Sequence, residues 1–103
     1  YGAAACTGRG EMAMRLCTAH SVVMYLKMGM ALEAAGREAT AELGYLVDPY
    51  FGRVSLIAMD ARGNHAGFSN GPDATYVYMT HEMRAYAEVP RIHVAAGDVG
   101  RRL

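Results

Sequence analysis

The sequence predicts an α+β fold, with two helices laid on one face of an antiparallel sheet. Apolar residues of the first half recur at three- and four-residue steps, whereas those of the second half alternate every second residue. Turns containing Gly and Asn separate the alternating segments. With 103 residues, the chain is one small domain or a piece of a larger one.

Residues 1–6 (YGAAAC) are small and apolar, too short for a helix and suited to a packed strand. Thr7-Gly8-Arg9-Gly10 breaks that pattern, and Glu11 opens a helix with a stop at Gly29. Met12, Leu16, Ala19, Val23, Leu26 and Met30 fall on one face of it. A second helix fits 31–46, striped by Leu32, Ala35, Ala39, Leu43 and Leu46, with Glu33, Arg37, Glu38 and Glu42 on its wet side. Its small residues, Gly36 among them, permit close packing, and Asp48-Pro49 ends it. Residues 52–60 alternate as a strand covered on one face, with cover on both expected, and 61–64 turn into a second strand at 65–69. A third strand fits 75–80, whose Tyr76 and Tyr78 share a face open either to a partner or to internal packing. Residues 1–90 form the ordered unit, and 91–103 are expected to be a poorly ordered tail.

Composition excludes several classes. Ten Lys and Arg balance ten Asp and Glu, so nothing draws the chain to nucleic acid or an anionic membrane. The 52% hydrophobic content is above the usual share of roughly 45–50% and excludes disorder. No run reaches the roughly 18 uncharged apolar residues of a membrane span. The two cysteines, Cys6 and Cys17, read as buried thiols rather than a disulfide scaffold. His20, His65, His81 and His93 are scattered without metal-ligand spacing, so no metal site is expected. The chain opens Tyr1-Gly2-Ala3 with no initiator Met and no basic leader, which leads us to expect a piece of a longer protein.

The chemistry concentrates at Thr7-Gly8-Arg9-Gly10. It is too incomplete for a dinucleotide fingerprint. Backbone amides of Gly8 and Gly10 at a helix start nevertheless suit an anion or a developing negative charge, and Thr7 adds a hydroxyl. A plain Gly-rich turn remains the alternative.

Thr7-Gly8-Arg9-Gly10-Glu11, preceded by Gly2-Ala3-Ala4-Ala5 and followed by a helix with Ser21-Val22-Val23, resembles the glycosylasparaginases and plant-type asparaginases (isoaspartyl peptidases). The resemblance continues at Ile57-Ala58-Met59-Asp60-Ala61-Arg62-Gly63-Asn64 and Gly67-Phe68-Ser69-Asn70, covering roughly residues 2 to 80. It implies an N-terminal-nucleophile hydrolase, with this chain as the C-terminal part of a β subunit in an α-β-β-α sandwich. In such enzymes a precursor cleaves itself to free a Thr, whose hydroxyl attacks the side-chain amide of an asparagine derivative. Thr7 and Gly8 would form the oxyanion hole, and Thr7, Gly8, Arg9 and Gly10 would line the substrate pocket. No cofactor is implied. The implied partners are an upstream α subunit, the rest of the β subunit and a small asparagine-derived substrate, in an αβ heterodimer that pairs into a dimer of heterodimers. The nucleophile would lie upstream of Tyr1, so the chain alone is expected to be inactive. Of the leaving groups, a glycosylamine is the first expectation and ammonia or a peptide the second. Lysosomal and bacterial locations both fit. A non-catalytic interaction domain presenting Tyr76 and Tyr78, and a free-standing anion-binding module, are the rival readings.

Overall fold

The computed structural model describes residues 1–95. The elements run β1 (Gly2–Gly8), α1 (Gly10–Leu16), α2 (Thr18–Lys27), α3 (Leu32–Ala41), a 3-10 turn (Glu42–Tyr45), β2 (Val54–Asp60), β3 (His65–Ser69), β4 (Thr75–Tyr78), β5 (Ala87–Pro90) and β6 (Ile92–His93). A four-stranded sheet has the order β1-β2-β3-β6. Its first two pairings are antiparallel, and β6 joins β3 in parallel. The α+β expectation holds, with helices packed on a sheet.

The helices cover one face of that sheet. Strand alternation turns Leu56 and Ala58 of β2 and Phe68 of β3 toward them, and all three are buried together with Val22, Ala35 and Ala39. Gly36 lies where α3 crosses β3. A Cβ there would stand 2.1 Å from Phe68 Cε2, so only glycine lets the helix come this close. A second cluster gathers Met12, Leu43, Leu46 and Val54 at the other end of the helical layer.

Those two clusters explain the first departure from the sequence reading. The single helix expected from Glu11 is two helices, broken at Cys17, which sits in the left-handed region at φ 50°, ψ 48°. The break resets the helical phase. Met12 is buried as expected, but the next fully buried positions are Thr18 and Val22 instead of Val23. A straight helix would serve one cluster, whereas the elbow lets α1 reach Met12's cluster while α2 reaches Val22's. Cys17 is exposed at this elbow, not a buried thiol. The second helix ends earlier than 46, and its last residues tighten into the 3-10 turn.

The third expected strand is real but belongs elsewhere. β4 pairs with β5 in a separate two-stranded ribbon, and β5 carried no clear signal because it is four residues ending in Pro90. Within the expected tail, Ile92 and His93 pair with Phe68 and Ser69. Residues 96–103 of that tail lie outside the described residues. The ribbon folds over the sheet face away from the helices, where Tyr76 and Arg91 lie against Gly67. Tyr76 and Tyr78 are therefore packed internally, with His65 Nδ1 2.9 Å from the Tyr76 hydroxyl and the His65 ring 4.3 Å from that of Tyr78. The rest of that face is open: Ile57 is 44% and Met59 49% exposed. Strand β2 is thus covered on one face along most of its length, not on both.

Candidate active-site loop

The loop of interest lies where β1 leaves the sheet. Thr7 pairs with Ser55 and Gly8 with Val54, and Arg9 N–H donates to the Arg53 carbonyl at 2.8 Å. Gly8 has φ +109°, and a Cβ there would meet the Arg53 oxygen at 2.3 Å. Both the torsion and the close approach demand glycine. Gly10, the first residue of α1, has open space around its Cβ position. Nothing among the described residues requires glycine there.

Hydrogen-bond parity fixes the direction of the Gly8 amide. Val54 uses its N–H and its carbonyl toward Asn70, donating to Asn70 Oδ1 at 2.8 Å and accepting from Asn70 N–H at 3.2 Å. Both groups of Val54 therefore face β3. Its partner Gly8 occupies a non-hydrogen-bonded position of the β1–β2 pair, with its N–H turned away from β2. β1 is the edge of the sheet, so this N–H points off the open edge. The Thr7 side chain lies on the face opposite the helices and makes no hydrogen bond among the described residues.

A cavity of about 500 Å³ runs along this edge beneath the α1–α2 elbow. Thr7, Gly8 and Gly10 line it together with Cys6, Cys17 and Thr18. Thr18 is only 1% exposed, and its hydroxyl has no hydrogen-bond partner among the described residues. Burial pushes the Cys6 thiol up, against a smaller lowering by the Ala19 backbone, and this disfavours its thiolate. α1 has seven residues, too short for its dipole to dominate.

Arg9 does not share the cavity. Its guanidinium turns to the back of the loop, where Nη1 meets Glu11 Oε2 at 2.8 Å and Nη2 meets Asp48 Oδ1 at 3.4 Å, over the Tyr50 ring. Of the four loop residues named from sequence, three border the cavity and Arg9 does not. Sequence reasoning also missed a row of hydroxyls across the sheet. Ser55, opposite Thr7, donates to Ser69 Oγ at 3.0 Å, and Ser69 Oγ accepts the Gly71 N–H at 3.1 Å. Period-two alternation from Val54 puts Ser55 on Thr7's face, and that was the signal available. Among the described residues no group of three His, Cys, Asp or Glu could hold a metal ion, and no helix is long and apolar enough to cross a membrane.

This geometry meets an independent sequence comparison. A family profile described as Asparaginase matches residues 1–88. The chain belongs to the asparaginase family of N-terminal-nucleophile hydrolases. It is similar to proteins named as plant-type L-asparaginases. The Pyrococcus horikoshii protein is 35% identical over 82 residues, which are 78% of this chain and 26% of that protein. The Thermococcus kodakarensis and Pyrococcus abyssi proteins are each 33% identical over the same shares. The asparaginase-family chain thus spans about a quarter of the length of these relatives.

Proposed function

We propose that the protein carrying this chain hydrolyses the side-chain amide of L-asparagine or a β-aspartyl peptide, and that Thr7 and Gly8 stabilise the oxyanion. One observation carries the reading: at the open edge of β1, Gly8 turns its N–H outward and the neighbouring Thr7 has a hydroxyl without a partner among the described residues, and both residues border the cavity. Acyl transfer needs two donors fixed in advance where the carbonyl oxygen becomes an alkoxide. A threonine hydroxyl supplied from upstream would add to the amide carbon. The alkoxide would sit between Thr7 Oγ1 and the Gly8 N–H, and collapse would expel ammonia or an amine and leave a β-aspartyl ester. Water then cleaves the ester and regenerates the hydroxyl. Gly10 supports this reading because its missing side chain keeps open a wall of the cavity that folding does not require to be open. The implied αβ heterodimer and its pairing belong to the same proposal, as does a second sheet packed on the exposed Ile57 and Met59 face.

The test is Thr7→Val in the full-length protein, assayed for product release from L-asparagine, a β-aspartyl dipeptide and a glycosylasparagine. Loss of one full oxyanion donor lowers kcat by about 10²–10³. A variant at the wild-type rate removes Thr7 from the mechanism. We expect the glycosylasparagine to be the poorest of the three substrates; if it is the best, the leaving-group assignment reverts to a glycosylamine.

A further inference from the structure

Arg9 and its partners do something the proposed chemistry leaves unused. Asp48 lies in the connection between the 3-10 turn and β2, with only 7% of its side chain exposed. Its carboxylate stands between two guanidinium groups, Arg9 Nη2 at 3.4 Å and Arg15 Nη1 at 3.8 Å. Oδ1 also accepts the Tyr50 N–H at 2.8 Å, which closes a turn and fixes the carboxylate to the backbone. Arg15 Nη1 donates to the Val47 carbonyl at 3.2 Å, so the same connection is gripped twice from α1. Arg9 stands between the two reactive-loop positions Gly8 and Gly10, and its guanidinium lies over Tyr50 at 5.6 Å from the ring centre.

We propose that Asp48 is a positioning residue: acting through Arg9, it fixes the Thr7–Gly10 loop from behind so that the Gly8 N–H and the Thr7 hydroxyl hold their place at the cavity. This rests on the oxyanion assignment above. The loop's other restraints are backbone ones, beginning with the pairing of Thr7 with Ser55 and of Gly8 with Val54 at the end of β1. Its amide tie to Arg53 holds Arg9's backbone at one point, and Met12 N–H to the Arg9 carbonyl at 3.1 Å holds the helix start. Productive geometry must be kept to about 0.5 Å. A half-covered ion pair adds little to global stability, so this one should show itself in the loop instead of in the melting temperature.

Asp48→Asn is the discriminating change, since it removes the charge and keeps an oxygen for the Tyr50 N–H. In the full-length protein we expect kcat to fall on the order of tenfold, short of the roughly hundredfold that a 1 Å misplacement costs, with KM and melting temperature little changed. Amide exchange at Arg9 and Met12, whose N–H groups carry the loop's backbone hydrogen bonds, should speed up. Arg9→Lys, which keeps the charge but loses the fork to Glu11 and Asp48, should do the same. Wild-type kcat and wild-type loop exchange in both variants would overturn the proposal. Faster loop exchange in a protein whose wild type cleaves no β-amide would uphold the tether and sink the oxyanion reading instead.

Discussion

At Gly8 and Gly10 the same residue type stands for two different reasons, and substitution separates them. Ala at Gly8 must adopt a positive φ, costing about 1–2 kcal/mol, and its methyl also meets the Arg53 carbonyl. Gly8→Ala should therefore lower stability by at least that amount in urea denaturation. Gly10→Ala meets nothing within 4 Å and gains up to about 1 kcal/mol of helix propensity. It should fold as well as the wild type or better, yet lose kcat/KM because its methyl enters the cavity. Unchanged kcat/KM would mean that the cavity wall at Gly10 is not used. Sequence made Thr7, Gly8 and Gly10 legible because a Gly-x-Gly between strand and helix has few uses. It could not direct Arg9: the same side chain reaches forward to a substrate or back to Asp48, and only the fold of residues 46–53 decides.

At the scale of elements, hydrophobic period located strands and helices well but was blind to the break at Cys17. No Gly, Pro or Asn marks that position, so the elbow is imposed by tertiary packing on two clusters. Comparing Cys17→Gly with Cys17→Ala tests this. In a continuous helix Gly would be worse than Ala by about 1 kcal/mol. In the left-handed region observed, Gly should be the better of the two by a similar amount. Ala more stable than Gly would contradict the elbow. The tie between α2 and the 3-10 turn was equally hidden, because it is a pair 17 residues apart: the Tyr25 hydroxyl donates to Glu42 Oε1. That hydrogen bond, with burial and the charges of Glu42 and Glu38, pushes the Tyr25 phenol up to about 12. A raised folded value means the contribution is complete below the ordinary phenol value near 10 and disappears as pH climbs through 12. Tyr25→Phe should cost about 1 kcal/mol at neutral pH. Its stability should also fall less steeply than the wild type's between pH 10 and 12.

For the whole molecule, the two faces of the sheet differ. The helical face closes over Phe68 and Leu56, while Ala3, Ala5, Ile57 and Met59 stand open on the other. The outer edge of β1 has no strand partner among the described residues. An open edge beside an apolar face is a self-association hazard for a small protein. The matched relatives supply a reason to keep both, since about three quarters of their length lies outside the matched region. If that remainder packs on the face, charge placed there should act in opposite directions in the two contexts. Ile57→Lys with Met59→Lys should make the isolated 103-residue chain more soluble and lower its binding of a hydrophobic dye, because both side chains are exposed. In the full-length protein the same pair would bury two unpaired charges, each costing several kcal/mol, and should prevent assembly of an active enzyme. Size-exclusion profiles and activity of both forms decide it. A full-length variant that assembles and turns over normally would show that the face is solvent-exposed in the enzyme as well, and the sandwich expectation would fall with it.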